Sequence, residues 1–198
     1  PSLNYDAAAQ VAHSISTHKI QNEYDFFTAV DDRAPEDNDG AGHLGTTEFN
    51  SSTLYRYATV NVAELNGHLG KDTPMAVRGF AQAFLLSMPT GKQNSFANRT
   101  LPDAVYVTVR RDQPINCAGA FEKPVIAGSN GYLAESEEQF VSYVKQVYQN
   151  FANEPEAAFG IGTAEAFKEI AETMPLQQML DKLEDRVAQY IIGDGESI

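Results

Sequence analysis

The chain is short of the residues that most function classes need. It has one cysteine, Cys117. That excludes an intrachain disulfide framework and fits a reducing, cytoplasmic setting. No apolar run approaches the roughly 20 residues of a membrane span, and no secretory leader is visible, so a membrane partner is not expected. No repeat of solenoid length recurs. Walker, G-x-G-x-x-G, H-E-x-x-H and C-x-x-C signatures are all missing. Cations are scarce too. Lys and Arg total 14 against 27 Asp and Glu, a formal net charge of −13. Alone, that balance argues against phosphate binding, which needs Lys and Arg.

What is present is enough for a folded domain: 198 residues, 42% of them hydrophobic. The charge is also uneven. Residues 31–48 are acid-rich with Arg33 as their one strong base, whereas residues 89–111 hold Lys92, Arg99, Arg110 and Arg111 against Asp103 alone. The acidic stretches read as solvated surface, and the second segment is a local basic island.

Periodicity outlines the elements. Ala8, Val11, Ala12 and Ile15 follow helical spacing, predicting a helix over residues 6–18 capped by Asp6. On it, His13 and His18 would not share a face. Lys19–Val30 reads as extended, Asp31–Asn50 as an acidic loop or long hairpin, and Ser52–Val62 as a strand. Thr73 and Pro74 open a helix with a stripe of Val77, Phe80, Ala81, Phe84, Leu85 and Met88. Pro89–Asp103 is a loop, Val105–Arg110 a strand, and Ala120–Ile126 a short extended piece. Ser136 and Gln139 form a capping box for a helix with Phe140, Tyr143, Val144, Val147 and Phe151 inward. Thr163–Ala171 reads as a short helix and Gly160–Gly162 as a turn. Thr173 and Pro175 open a last helix with Leu176, Met179, Leu180, Leu183 and Val187 inward, ending in a tail from Asp194. This mixture predicts an α+β fold, one sheet covered on one face by helices.

Two segments suit single-stranded RNA, which is held by aromatic stacking and backbone-tracking donors. In Phe26-Phe27-Thr28-Ala29-Val30 the adjacent rings point to opposite sides of a strand. One ring can join a core while the other meets a base; a two-sided core would equally take both. In the loop from Gly91 to Arg99, Lys92 offers a point charge, Asn94 and Ser95 hydrogen bonds, and Phe96 a ring. An ordinary polar loop has the same make-up. Tyr55 and Tyr57 suit stacking or cross-strand packing alike. Asp31, Asp32, His43 and Glu48 are the one loose set for a divalent metal, and Cys117 reads as a buried structural thiol.

Three ordered stretches carry a resemblance: Tyr24-Asp25-Phe26-Phe27-Thr28-Ala29-Val30-Asp31-Asp32, then Ala41-Gly42-His43-Leu44-Gly45-Thr46-Thr47-Glu48-Phe49, then Tyr55-Arg56-Tyr57-Ala58-Thr59-Val60-Asn61-Val62. With Ala12-His13, Ser16-Thr17-His18, Ala120-Phe121-Glu122-Lys123-Pro124-Val125 and Met174-Pro175, the chain resembles the CasC-type backbone subunits of type I-E CRISPR Cascade complexes. The resemblance implies a palm built on a modified RNA-recognition (ferredoxin-like) fold with a protruding thumb hairpin at about residues 31–50. It implies a subunit without catalysis or cofactor, stacking head to tail with copies of itself along CRISPR RNA (crRNA). Its further partners are other Cascade subunits and, through the guide, the target DNA strand. Family wedge residues match Phe26, Phe27, Thr28 and Val30; His43 and Leu44 fall at the far side of the thumb. Lys92, Asn94, Ser95, Arg99 and Lys123 match positions near RNA. The resemblance also implies that this chain corresponds to the C-terminal part of such a subunit, one domain over 1–198, with a sheet short of strands and an exposed edge. Related backbone subunits that cut RNA suggest an alternative, a metal-dependent RNA nuclease using Asp31 or Asp32.

Overall fold

The computed structural model describes residues 6–29 and 43–195. Nine strands and five α-helices follow one another there. They are β1 (Ala9–Val11), β2 (Ile15–Ser16), β3 (Glu23–Ala29), β4 (His43–Phe49), β5 (Leu54–Tyr55), β6 (Ala58–Val60), α1 (Val62–Leu69), α2 (Thr73–Leu86), α3 (Gln93–Phe96), β7 (Val105–Val109), α4 (Leu133–Asn150), β8 (Ala157–Ile161), β9 (Glu172–Thr173) and α5 (Leu176–Gly195). Short 3₁₀ turns cover Gly70–Asp72, Cys117–Phe121 and Glu165–Glu169. The class is mixed α+β, with small sheets rather than one.

The body is built on β7–β8–β9. β8 runs antiparallel to β7 and parallel to β9. Alternation along β7 sends Val105, Val107 and Val109 to one face and Tyr106 to the other. On the first face Val109 packs with Val77 of α2 and Leu183 and Val187 of α5, while Val105 packs with Phe159, Met174 and Met179. On the second, Val141 of α4, Phe167 and Ala171 form a cluster joined by Tyr106, Phe140 and Ala158. Helices therefore cover both faces, not one as the periodicity predicts. Met179, Leu180 and Val187 are essentially inaccessible, each burial contributing about 1.5–3 kcal/mol. Among the described residues β7 lies at one edge of this sheet. It borders an open cleft of ≈ 1360 Å³ whose lining includes Tyr57, Val60, Phe80, Phe84, Tyr106 and Arg110.

Several local expectations are corrected. Residues 6–18 are not helical: β1 pairs with β6 and β2 with β5, both antiparallel. Half of the predicted apolar stripe is alanine, and Val11 is 62% exposed while Thr17 and His18 are buried. Pairing with distant segments outweighs a weak local period. Thr73 is the first residue of α2 rather than its cap, and its buried hydroxyl has no hydrogen-bond partner among the described residues. A helix the periodicity passes over, α1, precedes it, capped by Asn61 Oδ1 accepting from Glu64 N–H.

α4 begins at Leu133, so Ser136 lies inside it. Its Oγ bonds back to Tyr132 O and across to Thr17 Oγ1. Phe151, expected inward, is 87% exposed just past the helix end. Residues 163–171 hold only a 3₁₀ turn. Gly160, expected in a turn, lies in β8. A Cβ there would sit 2.7 Å from Phe167, so the glycine admits that ring to the sheet. Gln139 anchors Ala120 O and Lys123 O instead of boxing a cap. α5 is helical through Gly195, past the expected start of the tail.

Candidate nucleic-acid interface

β3 and β4 form an antiparallel hairpin whose register runs from Glu23↔Phe49 to Ala29↔His43. Within residues 31–50, His43–Phe49 form the second strand of this hairpin, while 31–42 lie outside the described residues. The strands pair chiefly with each other. The aromatics consequently stay in solvent. Tyr24 is 56% exposed, Phe26 69%, Phe27 46% and Phe49 39%. For isolated rings that would mean little; four on one two-stranded element make the hairpin a candidate contact element. The reading in which both Phe26 and Phe27 enter a core is excluded.

Register sorts the rings. Tyr24, Phe26 and Thr28 share one face; Phe27 and Phe49 share the other with Gly45. Phe27 lies over Gly45, whose missing side chain makes room for the ring. His43 and Leu44 are paired with Ala29 and Thr28 through the backbone; their side chains, and all of Val30, Asp31 and Asp32, lie outside the described residues.

The second segment comes to meet the first. α3 is a single turn bounded by two non-glycine residues in the left-handed region, Lys92 (φ 56°) and Ala97 (φ 52°). Such a conformation costs on the order of 1 kcal/mol at each position. It sets Phe96 beside Phe49, ring centroids 6.1 Å apart, with Lys92 Nζ 5.8 Å from the Phe96 ring. Arg99 donates to Gln93 Oε1. Asn94 and Ser95 are exposed. Lys123 is exposed near Val125, whose N–H donates to Thr17 O; the Phe49–Phe96 contact does not include it. Phe49 is the residue that sequence reasoning missed. Its signal was its parity with Phe27 once the hairpin register is drawn.

The charges divide. Arg78, Arg110, Arg111, Lys145, Lys168, Lys182 and Arg186 are all engaged by carboxylates. Lys19, Arg56, Lys71, Lys92, Arg99 and Lys123 make no ion pair among the described residues. Within the basic segment, Arg110 and Arg111 are thus engaged, while Lys92 and Arg99, on the loop that meets the hairpin, make no ion pair among the described residues.

The other chemical candidates turn inward. The Tyr55 hydroxyl donates to Asn116 Oδ1 and accepts from Cys117 N–H, each at 3.0 Å, and its ring meets Phe121 and Phe140. Burial pushes that hydroxyl well above the ordinary tyrosine range. Cys117 is buried, and its thiol is pushed up to about 11 by desolvation, with Arg110 pulling weakly the other way. Near neutral pH it is therefore held as the thiol.

Comparison with known proteins gives a consistent result. Residues 1–186 match the family model described as CT1975-like protein. No curated protein matches. Two solved structures are similar. One is a chain of a "CRISPR RNA-guided surveillance complex", at TM-score 0.81 and 34% identity, covering 94% of this chain and 73% of that one. The other is from a "CRISPR RNA-guided surveillance complex, pre-nicking", at TM-score 0.79 and 33% identity, covering 94% of this chain and 52% of that one. This chain therefore spans about half to three-quarters of the length of those it matches. With that family match over residues 1–186, and a fold that 94% of its length shares with the surveillance-complex chains, it belongs to the CT1975-like family of CRISPR-associated proteins.

Proposed function

We propose that this chain is the RNA-coating part of a Cascade backbone subunit of the type I-E kind. It assembles head to tail along crRNA in the cytoplasm and has no catalytic step of its own. The observation that carries this reading is the meeting of the aromatic hairpin with the Lys92 loop, on a fold shared with surveillance-complex chains. In it, β3–β4 is the thumb and β7–β8–β9 with its helices is the palm, a modified RNA-recognition sheet. Phe26 and Phe27 interrupt base stacking between guide and target. Lys92, Asn94, Ser95 and Arg99 hold the RNA backbone. Sequence specificity comes from base pairing, the protein reading backbone and shape.

The test uses the assembled complex. Phe27→Ala removes a ring that, stacked on a base, is worth about 1–3 kcal/mol. Target-strand affinity should fall about tenfold or more while the circular dichroism of the isolated chain stays unchanged. Unaltered target affinity in a complex carrying Phe27→Ala in every copy would sink the reading.

A further inference from the structure

We infer that His18 is the positioning residue that sets the direction in which the β3–β4 hairpin leaves the body, acting as a bare ring nitrogen in place of a backbone carbonyl. The β2–β5 ladder runs through Ile15↔Tyr55 and Ser16↔Leu54. It continues with Thr17 N–H donating to Thr53 O at 2.9 Å. The returning rung is different in kind: Thr53 N–H donates to His18 Nε2 at 3.1 Å. Beyond it both chains depart for the hairpin. The other described cross-link on the way is the long 3.4 Å contact of Asn50 Nδ2 with Asn22 Oδ1.

The ring's hydrogen bonds assign its tautomer. Nδ1 lies 3.0 Å from Lys19 O. A carbonyl only accepts, so Nδ1 carries the proton, and Nε2 is left bare for Thr53. One imidazole thereby ties the strand entering the hairpin to the strand leaving it.

It ties both to the body as well. The ring is 9% exposed and stacks on Tyr132, centroids 3.8 Å apart at 14°. Tyr132 directly precedes α4. Thr17 O accepts from Val125 N–H at 2.9 Å, and Thr17 Oγ1 is hydrogen-bonded to Ser136 Oγ, within α4, at 2.9 Å. Tyr132, Val125 and α4 thus hold the joint from the body's side. An apolar replacement leaves Thr53 N–H without its acceptor and frees the returning strand to swing.

Spin labels at Thr46→Cys and Gln149→Cys read this directly, both sites being exposed; the chain without added cysteines is the blank, Cys117 being buried. The native distance distribution should be narrow. His18→Phe keeps a ring for Tyr132 but has no acceptor, and should broaden the distribution at least about twofold. His18→Gln places an acceptor oxygen near the Nε2 position and should restore the narrow form. An unchanged width in His18→Phe, or equal broadening in both variants, overturns the inference. If His18→Phe does not fold, long-range ¹H–¹⁵N spectra of the wild type decide: a proton on Nε2 overturns it, and a bare Nε2 supports it. The consequence for target binding rests on the function proposed above. A broadened His18→Phe variant whose assembled complex keeps full target affinity would uphold His18 as the positioning residue and count against the hairpin as the wedge.

Discussion

Phe27 and Gly45 face each other across the hairpin, and the ring occupies the space a side chain on Gly45 would take: a Cβ there would lie 2.3 Å from Phe27 Cζ. An aromatic lying across a strand glycine shields the ladder and orients the ring. The clashing atom is the far end of a half-exposed side chain, so Gly45→Ala displaces the ring rather than the strand. Its expected effect on the chain's stability is under about 1 kcal/mol in denaturant melts. Target-strand affinity of the assembled complex should nonetheless drop, because Phe27 no longer rests where β4 holds it.

Gly160 looks similar and predicts the opposite. A Cβ there would lie 2.7 Å from Phe167, 3.1 Å from Ala171 Cβ and 3.1 Å from Val105 O. Phe167 is 2% exposed, locked between α4 and the sheet, so the ring has nowhere to go. Gly160→Ala should destabilise the chain by about 1–3 kcal/mol, the usual cost of overpacking. A urea midpoint that falls for Gly160→Ala and holds for Gly45→Ala is the expected pair of results.

These two glycines show where the sequence was legible and where it was not. The last helix was readable because Met179, Leu180, Leu183 and Val187 repeat at helical spacing on one strongly apolar face, a purely local signal. β7 was readable from Val105, Val107 and Val109. By contrast, Ala9–Val11 is a strand only because Ala58–Val60 lies beside it. Ala157–Ile161 is short, with Gly160 suggesting a turn, and becomes the central strand because β7 and β9 flank it. The site divides the same way. Phe26, Phe27 and the Lys92 loop were visible as separate segments. Their junction at Phe49 and Phe96 is a tertiary contact that no window contains.

Cys117 and four partly buried tyrosines make stability fall on the alkaline side. Cys117 is pushed up to about 11, chiefly by burial. Tyr55, Tyr57, Tyr106 and Tyr148 are raised as well, with burial the largest cause in each. A group whose folded pKa exceeds its unfolded one stabilises the fold below the unfolded value, and that contribution is lost as pH rises toward the folded value. Cys117 should begin the loss near pH 9 and the tyrosines extend it above pH 10. Melting temperatures recorded from pH 7 to 11 should fall over that span, and Cys117→Ala should flatten the part between 9 and 11 relative to its own value at pH 7.

Lys92 offers the cleanest electrostatic test of the interface. It makes no ion pair among the described residues, its backbone is held left-handed at φ 56°, and its Nζ stands near the Phe96 ring. A cation held so and facing a phosphate releases a counterion on binding, and affinity then depends on salt. Lys92→Gln should lower RNA affinity of the assembling subunit and reduce the slope of log affinity against log salt by about 0.7, the single-strand value per phosphate contact. Lys168→Gln is the control, since Lys168 is paired with Glu165; its slope should match the wild type. A Lys92→Gln slope equal to that of the wild type would remove Lys92 from the interface and leave the hairpin rings to hold the nucleic acid without it.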